Sequence, residues 1–287
     1  MKSSASKCLA AALAVAGLAA CQQQSGPAPA SNTPPVPTNS APVISAPPAP
    51  AGTANLPGDH AATKHYKIAI DLPPLPASEK PLTAALRATA DNAKREFMKA
   101  LPDPQQYPEF ANRQLQLLLK FQIAANTAAF TSVRETGSED TGGAHPIPVE
   151  ATFVYDRKAN QVIALDDLFT KPDAARKTLA NFAHAALEKK LMTQAPKPGE
   201  GSRKAISEWK TNMLQMLDDG TRPTTVNFSL FVVRQGSDKN AASPGLTLVF
   251  PPYQVAPYVY GTQAVEVPAK VFATFLKPVY QGAFAAH

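Results

Sequence analysis

From Leu115 to Ile123 the chain alternates without a break. Leu115, Leu117, Leu119, Phe121 and Ile123 lie on one side, and Gln116, Leu118, Lys120 and Gln122 on the other. Successive side chains of a strand point to opposite faces, so this period of two fits a half-buried strand and no helix. The run commits the chain to a sheet. Ala128 to Thr136 reads as the neighbouring strand, and Gly137 to His145 as a polar connection. A third strand runs from Ile147 to Tyr155, with Ile147, Val149, Ala151, Phe153 and Tyr155 on one face and Glu150, Thr152 and Val154 on the other. Asp156 to Asn160 is a turn, and Gln161 to Leu165 returns as a short strand. Three consecutive strands with short connections imply an antiparallel sheet with one face covered.

Upstream, His65 to Leu72 alternates as a first strand, ended by Pro73-Pro74. Ser78-Glu79-Lys80-Pro81 opens a helix, with Ser78 as the candidate cap. Leu82, Leu86, Ala90, Ala93 and Phe97 recur on one face of it. Downstream, Pro172-Asp173 starts a helix bearing Leu179, Phe182, Ala183, Ala186, Leu187 and Leu191. A second carries Ile206, Trp209, Met213, Met216 and Leu217, stopping at Asp218-Asp219-Gly220. Val226 to Val232, Leu246 to Phe250 and Ala264 to Val267 read as strands, and Pro268 to Leu276 as a terminal helix. Clustered strands beside grouped helices give the α+β class, with antiparallel sheets and helices packed on one face.

The N-terminus reads as an address. Lys2 and Lys7 precede an apolar run, Leu9 to Ala20, too short to span a bilayer, which ends Leu18-Ala19-Ala20-Cys21. Residues 1–20 are expected to be a lipoprotein signal peptide, and Cys21 the lipidated first residue of the mature chain. Gln22, where an aspartate would favour inner-membrane retention, points to the outer membrane facing the periplasm. Cys8 leaves with the signal, so no disulfide and no cysteine metal site is expected. Residues 21–61 form a lipidated linker. Gln22 to Gly58 holds ten prolines and no charge. Such a segment buries too little to fold and reaches at most on the order of 100 Å at about 3.1 Å per residue. The mature chain carries 26 basic and 22 acidic side chains, net +4, all from Asp59 onward. The two signs are interleaved, which excludes a nucleic-acid footprint.

Two stretches point to a family. Gly142-Gly143-Ala144-His145-Pro146, followed by Phe153-Val154-Tyr155-Asp156 and Asp166-Asp167-Leu168-Phe169, resembles the extracytoplasmic domain of the RsiV-like family. Leu248-Val249-Phe250-Pro251-Pro252-Tyr253-Gln254-Val255-Ala256-Pro257-Tyr258 resembles its C-terminal signature, continued by Gly261 and Val265 to Pro268. The resemblance covers roughly Lys64 to Leu276. It implies an α+β half at 62–170 and an RsiV-like half at 171–287. The family includes anti-sigma factors whose outer domain senses lysozyme, and its N-terminal half accompanies a peptidoglycan deacetylase. This chain shows neither a sigma-binding segment nor paired deacetylase aspartates in Thr152-Phe153-Val154-Tyr155-Asp156. What the resemblance implies is a non-catalytic envelope module that binds peptidoglycan or a protein, with a lysozyme-binding sensor or inhibitor as the alternative.

The residues nominate a binding site without chemistry. Gly142, Gly143, His145, Tyr253 and Tyr258 are its candidate residues. His145 would serve as a general base only with a partner acid and a pocket; a wall hydrolase built on it is a second alternative. No histidine stands at zinc-ligand spacing, and neither a Gly-x-Ser-x-Gly elbow nor a phosphate loop follows Gly142-Gly143, so no catalytic residue, metal or cofactor is assigned. Asp166-Asp167 reads as a hydrated cap. Tyr253, Tyr258 and Tyr260 among prolines suit either a packed edge or a sugar face. The expected partners are the membrane, through Cys21, and peptidoglycan or a lysozyme-like protein.

Overall fold

The computed structural model describes residues 53–54, 58–197 and 199–285. The signal segment, Cys21, nearly all of the linker and His287 lie outside them. Eleven strands and three α-helices follow in order: β1 (Thr53–Ala54), β2 (Asp59–Ala62), β3 (Tyr66–Asp71), β4 (Leu75–Pro76), α1 (Lys80–Ala100), β5 (Leu115–Asn126), β6 (Phe130–Asp140), β7 (Ile147–Asp156), β8 (Gln161–Ile163), α2 (Pro172–Met192), α3 (Arg203–Gly220), β9 (Phe231–Val233), β10 (Gly245–Phe250) and β11 (Gln263–Pro268). Six strands form a sheet in the order β2-β3-β5-β6-β7-β8. Three form a second, β11-β10-β9, and β1 pairs with β4.

The large sheet is antiparallel except at one pair. β3 and β5 run parallel, Tyr66 opposite Leu115. A parallel pair needs a crossover, and α1 supplies it. Its buried residues, Leu82, Leu86, Ala90 and Phe97, repeat near helical spacing. They close over Ile68, Ile70, Leu117, Leu119, Phe121, Val133 and Tyr155 on one face of the sheet. Each such aliphatic side chain stabilises the fold by about 1.5–3 kcal/mol when fully buried.

The opposite face builds a second core. Phe130, Val154 and Ile163 point that way, by the alternation that turns Val133 and Tyr155 towards α1. Leu179, Ala183, Leu187 and Leu191 of α2, Met213 and Leu217 of α3, and the three-stranded sheet complete it. β9 is fastened to this face by unusual bonds. The Phe231 and Val233 backbone N–H groups donate to Thr152 Oγ1 (3.0 Å) and Ser132 Oγ (3.1 Å).

Three local expectations are corrected. Ser78 is not the cap of α1; Glu79 occupies that position. Its carboxylate makes no cap bond and instead accepts from Thr131 Oγ1 (2.7 Å) and Arg157 Nε (3.0 Å). The strand expected over 226–232 shrinks to Phe231–Val233. Thr224 Oγ1, Asn227 Nδ2 and Ser229 Oγ bond the local backbone and fold 224–229 into turns. The terminal helix dissolves into two 3-10 turns, Ala269–Val271 and Ala273–Phe275. The ends of this segment are held by tertiary bonds: Phe275 O accepts from Thr170 N (2.8 Å), and Ala269 N donates to Pro244 O (2.9 Å).

Candidate functional site

The 141–146 connection between β6 and β7 is held by one carboxylate. Asp140 accepts from Gly142 N (2.9 Å) and, through both oxygens, from Arg113 Nη2 (2.9 and 3.0 Å). Gly142 has φ +101, the left-handed region, and a β-carbon there would fall 2.4 Å from the Phe110 ring. Glycine is therefore required by conformation and by space. Gly143 is different: a β-carbon there meets nothing closer than 3.9 Å. The turn delivers His145 to the surface.

The second segment leaves β10 at Pro251. Gln254 pins it, donating from Nε2 to Gly220 O and Asn227 O (both 2.9 Å), while Val255 and Ala256 plug the core. Tyr253 has φ +71 and is 57% exposed. A left-handed backbone at a bulky aromatic costs on the order of 1–3 kcal/mol and persists only where surroundings impose it. The chain then makes a 3-10 turn over Tyr258–Tyr260, and Thr262 Oγ1 donates to Glu150 on β7.

These two segments bring His145, Tyr253 and Tyr258 together. The His145 ring stacks on Tyr258 at 4.5 Å between centroids and 27° between planes, and Tyr258 lies 5.6 Å from Tyr253. His145 Nδ1 lies 3.0 Å from Pro146 O. A carbonyl only accepts, so Nδ1 carries the proton and Nε2 accepts from the Tyr253 hydroxyl in a long contact of 3.5 Å. Three rings thus form an open shelf at the end of the large sheet. Flat aromatic faces of this kind bind the apolar faces of sugars or pack against protein side chains. Tyr260 does not join them. It packs against the second core, and its hydroxyl accepts from Trp209 Nε1 (3.1 Å).

Among the described residues, the histidine ion pairs involve His60 and His184 and leave His145 out. Among the described residues, no carboxylate lies at ion-pair distance from the His145 ring. Within the same residues, no group of three or more His, Cys, Asp and Glu is placed to hold a metal ion, and no helix is long and apolar enough to cross a membrane.

The adjacent aspartates play different parts. Asp167 Oδ2 accepts from Ala164 N (2.9 Å) as a cap, whereas Asp166 pairs with the nearly buried Arg176. That pair stands in a cleft of about 320 Å³ walled by Leu165, Val226 and Phe228.

Sequence reasoning missed Glu135. It is 0% exposed, and neither carboxylate oxygen has a partner among the described residues. Burial, and then the charge of Glu150, push its carboxyl up to about 7. Glu139 is raised by burial as well.

Comparison with known proteins adds three findings. The chain is 24% identical over 217 residues to a peptidoglycan-N-acetylmuramic acid deacetylase, PdaC, of Bacillus subtilis; the match takes in 76% of this chain and 40% of that protein's length. Two crystal structures of DUF3298 family proteins align with it. One, from Bacteroides fragilis, has a TM-score of 0.49 at 15% identity, over 76% of this chain and 87% of that one. The other, from Pseudomonas aeruginosa, has a TM-score of 0.49 at 16% identity, over 82% and 99%. Residues 166–270, which include Tyr253 and Tyr258 of the shelf but not His145, match the family model described as "Protein of unknown function (DUF3298)".

Proposed function

We propose that this chain is a non-catalytic, envelope-facing lipoprotein domain that holds a peptidoglycan-type glycan against the shelf of His145, Tyr253 and Tyr258. The observation that carries the reading is Tyr253, an exposed aromatic kept in a strained backbone and aligned with two further rings. Strain of this kind is a mark of sites where side-chain position matters more than local stability. Similarity to the Bacillus subtilis peptidoglycan-N-acetylmuramic acid deacetylase supports the choice of glycan, and the RsiV-like resemblance supports an extracytoplasmic place. In this reading Cys21 bears the lipid and residues 22–58 carry the domain away from the outer membrane into the periplasm.

Lysozyme binding is the weaker reading. Steering a basic partner needs free acidic charge. The mature chain is net +4, Asp140 is paired with Arg113, and Asp166 shares Arg176 with Asp173. The hydrolase reading lacks an acid beside His145.

The test is calorimetric titration of the mature chain, with Cys21→Ser, against soluble peptidoglycan fragments, with a common-type lysozyme as parallel injection. Saturable glycan binding that weakens about tenfold in Tyr258→Ala, as loss of a stacking platform predicts, supports the proposal. Unchanged affinity in Tyr253→Ala and Tyr258→Ala, or binding to lysozyme alone, rejects it.

A further inference from the structure

The turn from α2 into α3 concentrates positive charge. Lys189 and Lys190 lie in the last turn of α2, Lys197 stands in the connection, Arg203 and Lys204 open α3, and Lys210 follows on it. All six are exposed. Lys204 pairs with Glu208 at 3.8 Å; among the described residues the other five make no ion pair. The carboxylates of the same stretch are already engaged. Glu188 faces His184 (3.9 Å), Glu208 faces Lys204, and Glu200 accepts from the Lys197 backbone (2.8 Å).

Helix stability explains only part of this. Cations in the last turn of α2 complement the negative end of its dipole. Arg203 and Lys204 stand at the positive end of α3, whose first turn holds no acid. There the helix loses by their charge, and apart from the Lys204–Glu208 pair folding gives no reason for them. An external anion does. The linker from Gln22 to Gly58 is uncharged, so the folded domain carries all the charge that a surface beneath the tether would meet.

We infer that the α2–α3 corner docks on the anionic headgroups of the bilayer to which Cys21 tethers the chain. The inference rests on the lipid anchor of the proposed function and is independent of the glycan shelf. Each exposed cation brought within a Debye length of an anionic surface adds to affinity, and added salt removes the gain.

The experiment uses the mature chain with Cys21→Ser, so that the corner and not the lipid is measured, and co-sedimentation with vesicles. Expected is binding to equimolar phosphatidylcholine and phosphatidylglycerol, none to phosphatidylcholine alone, and release by salt. Lys189→Glu, Lys190→Glu and Arg203→Glu together should weaken it about tenfold or more. Reversal of three exposed lysines elsewhere, Lys64, Lys67 and Lys120, should weaken it distinctly less. Equal binding to both vesicles, or equal loss in the two triple variants, overturns the inference. So does binding to a soluble polyanion without binding to vesicles. The mass of the Cys21-containing peptide from cells reads lipidation separately, so a failed anchor and a failed corner leave different signatures.

Discussion

Single residues in this protein hold positions that local propensity would not choose, and Glu135 is the plainest. It lies on β6 opposite Phe121 and Ala151, on the face that α1 covers. Its carboxyl titrates at about 7 in the fold against 4.5 for the free group. A raised value means that the folded state binds the proton more tightly. Stability is therefore highest below about 4.5, falls as pH climbs towards 7, and is fully reduced above it. The gap corresponds to about 3 kcal/mol at roughly 1.4 kcal/mol per unit. Glu135→Gln removes the titration. Urea unfolding should show the variant gaining on the parent by up to that amount between about pH 5 and about pH 8; a difference that does not change with pH would sink the argument. Gly142 and Gly143 make a second residue-scale test. Gly142→Ala forces an alanine into the left-handed region against Phe110 and should cost about 1–2 kcal/mol or more. Gly143→Ala, with open space around it, should change thermal stability by less than about 0.5 kcal/mol. Equal effects would show that the turn is not held as described.

At the scale of elements, one guanidinium ties the start of α1 to the sheet. Arg157, just past β7, donates to Glu79 at the start of α1, to Thr131 Oγ1 (2.8 Å) on β6, to Asn126 at the end of β5 and to Thr127 O. Glu79 is 2% exposed. Arg157→Met should leave that carboxylate buried without its charge partner and cost about 3–5 kcal/mol, measured by denaturant unfolding. Glu79→Gln in the same background should recover part of the loss, and no recovery would count against the ion-pair account. None of this was legible in the sequence, where Ser78 was the obvious cap and Arg157 one charge in a hairpin turn. The strands β3, β5 and β7 were legible, because alternation is a local signal that burial on one face imposes, whereas β6 runs on to Asp140, past Thr136 where the polar connection was expected to begin. The segment 226–230 deceived because its alternation carries Val226, 78% exposed, on a turn held by side-chain bonds. The shelf was half legible. Its residues could be nominated from two motifs, but His145 and Tyr253 are 108 positions apart, and only the folded chain shows that Tyr253 and Tyr258 join His145 while Tyr260 turns inward.

At the scale of the molecule, the six-stranded sheet is a wall between two cores, and this geometry decides how the protein should unfold. The described residues fall within one compact unit. The α1 side holds Leu117, 0% exposed, and the far side holds Leu187, also 0% exposed. Adjacent residues of β7 serve different cores, Val154 the far one and Tyr155 the near one. Neither core can lose its wall without exposing the other, and β9 is bonded to Ser132 and Thr152 of that wall. A single cooperative transition follows. Leu117→Ala and Leu187→Ala should each destabilise by about 2–5 kcal/mol, and each should lower one shared midpoint. The chain's single tryptophan makes the test decisive. Trp209 packs against the far core alone, so its fluorescence is blind to the α1 side except through coupling. Leu117→Ala should nevertheless shift the Trp209 midpoint as far as it shifts far-ultraviolet circular dichroism. A fluorescence midpoint that stays put while the circular dichroism midpoint moves would mean that the cores unfold separately, and that the sheet is a partition between two folding units instead of the frame they share.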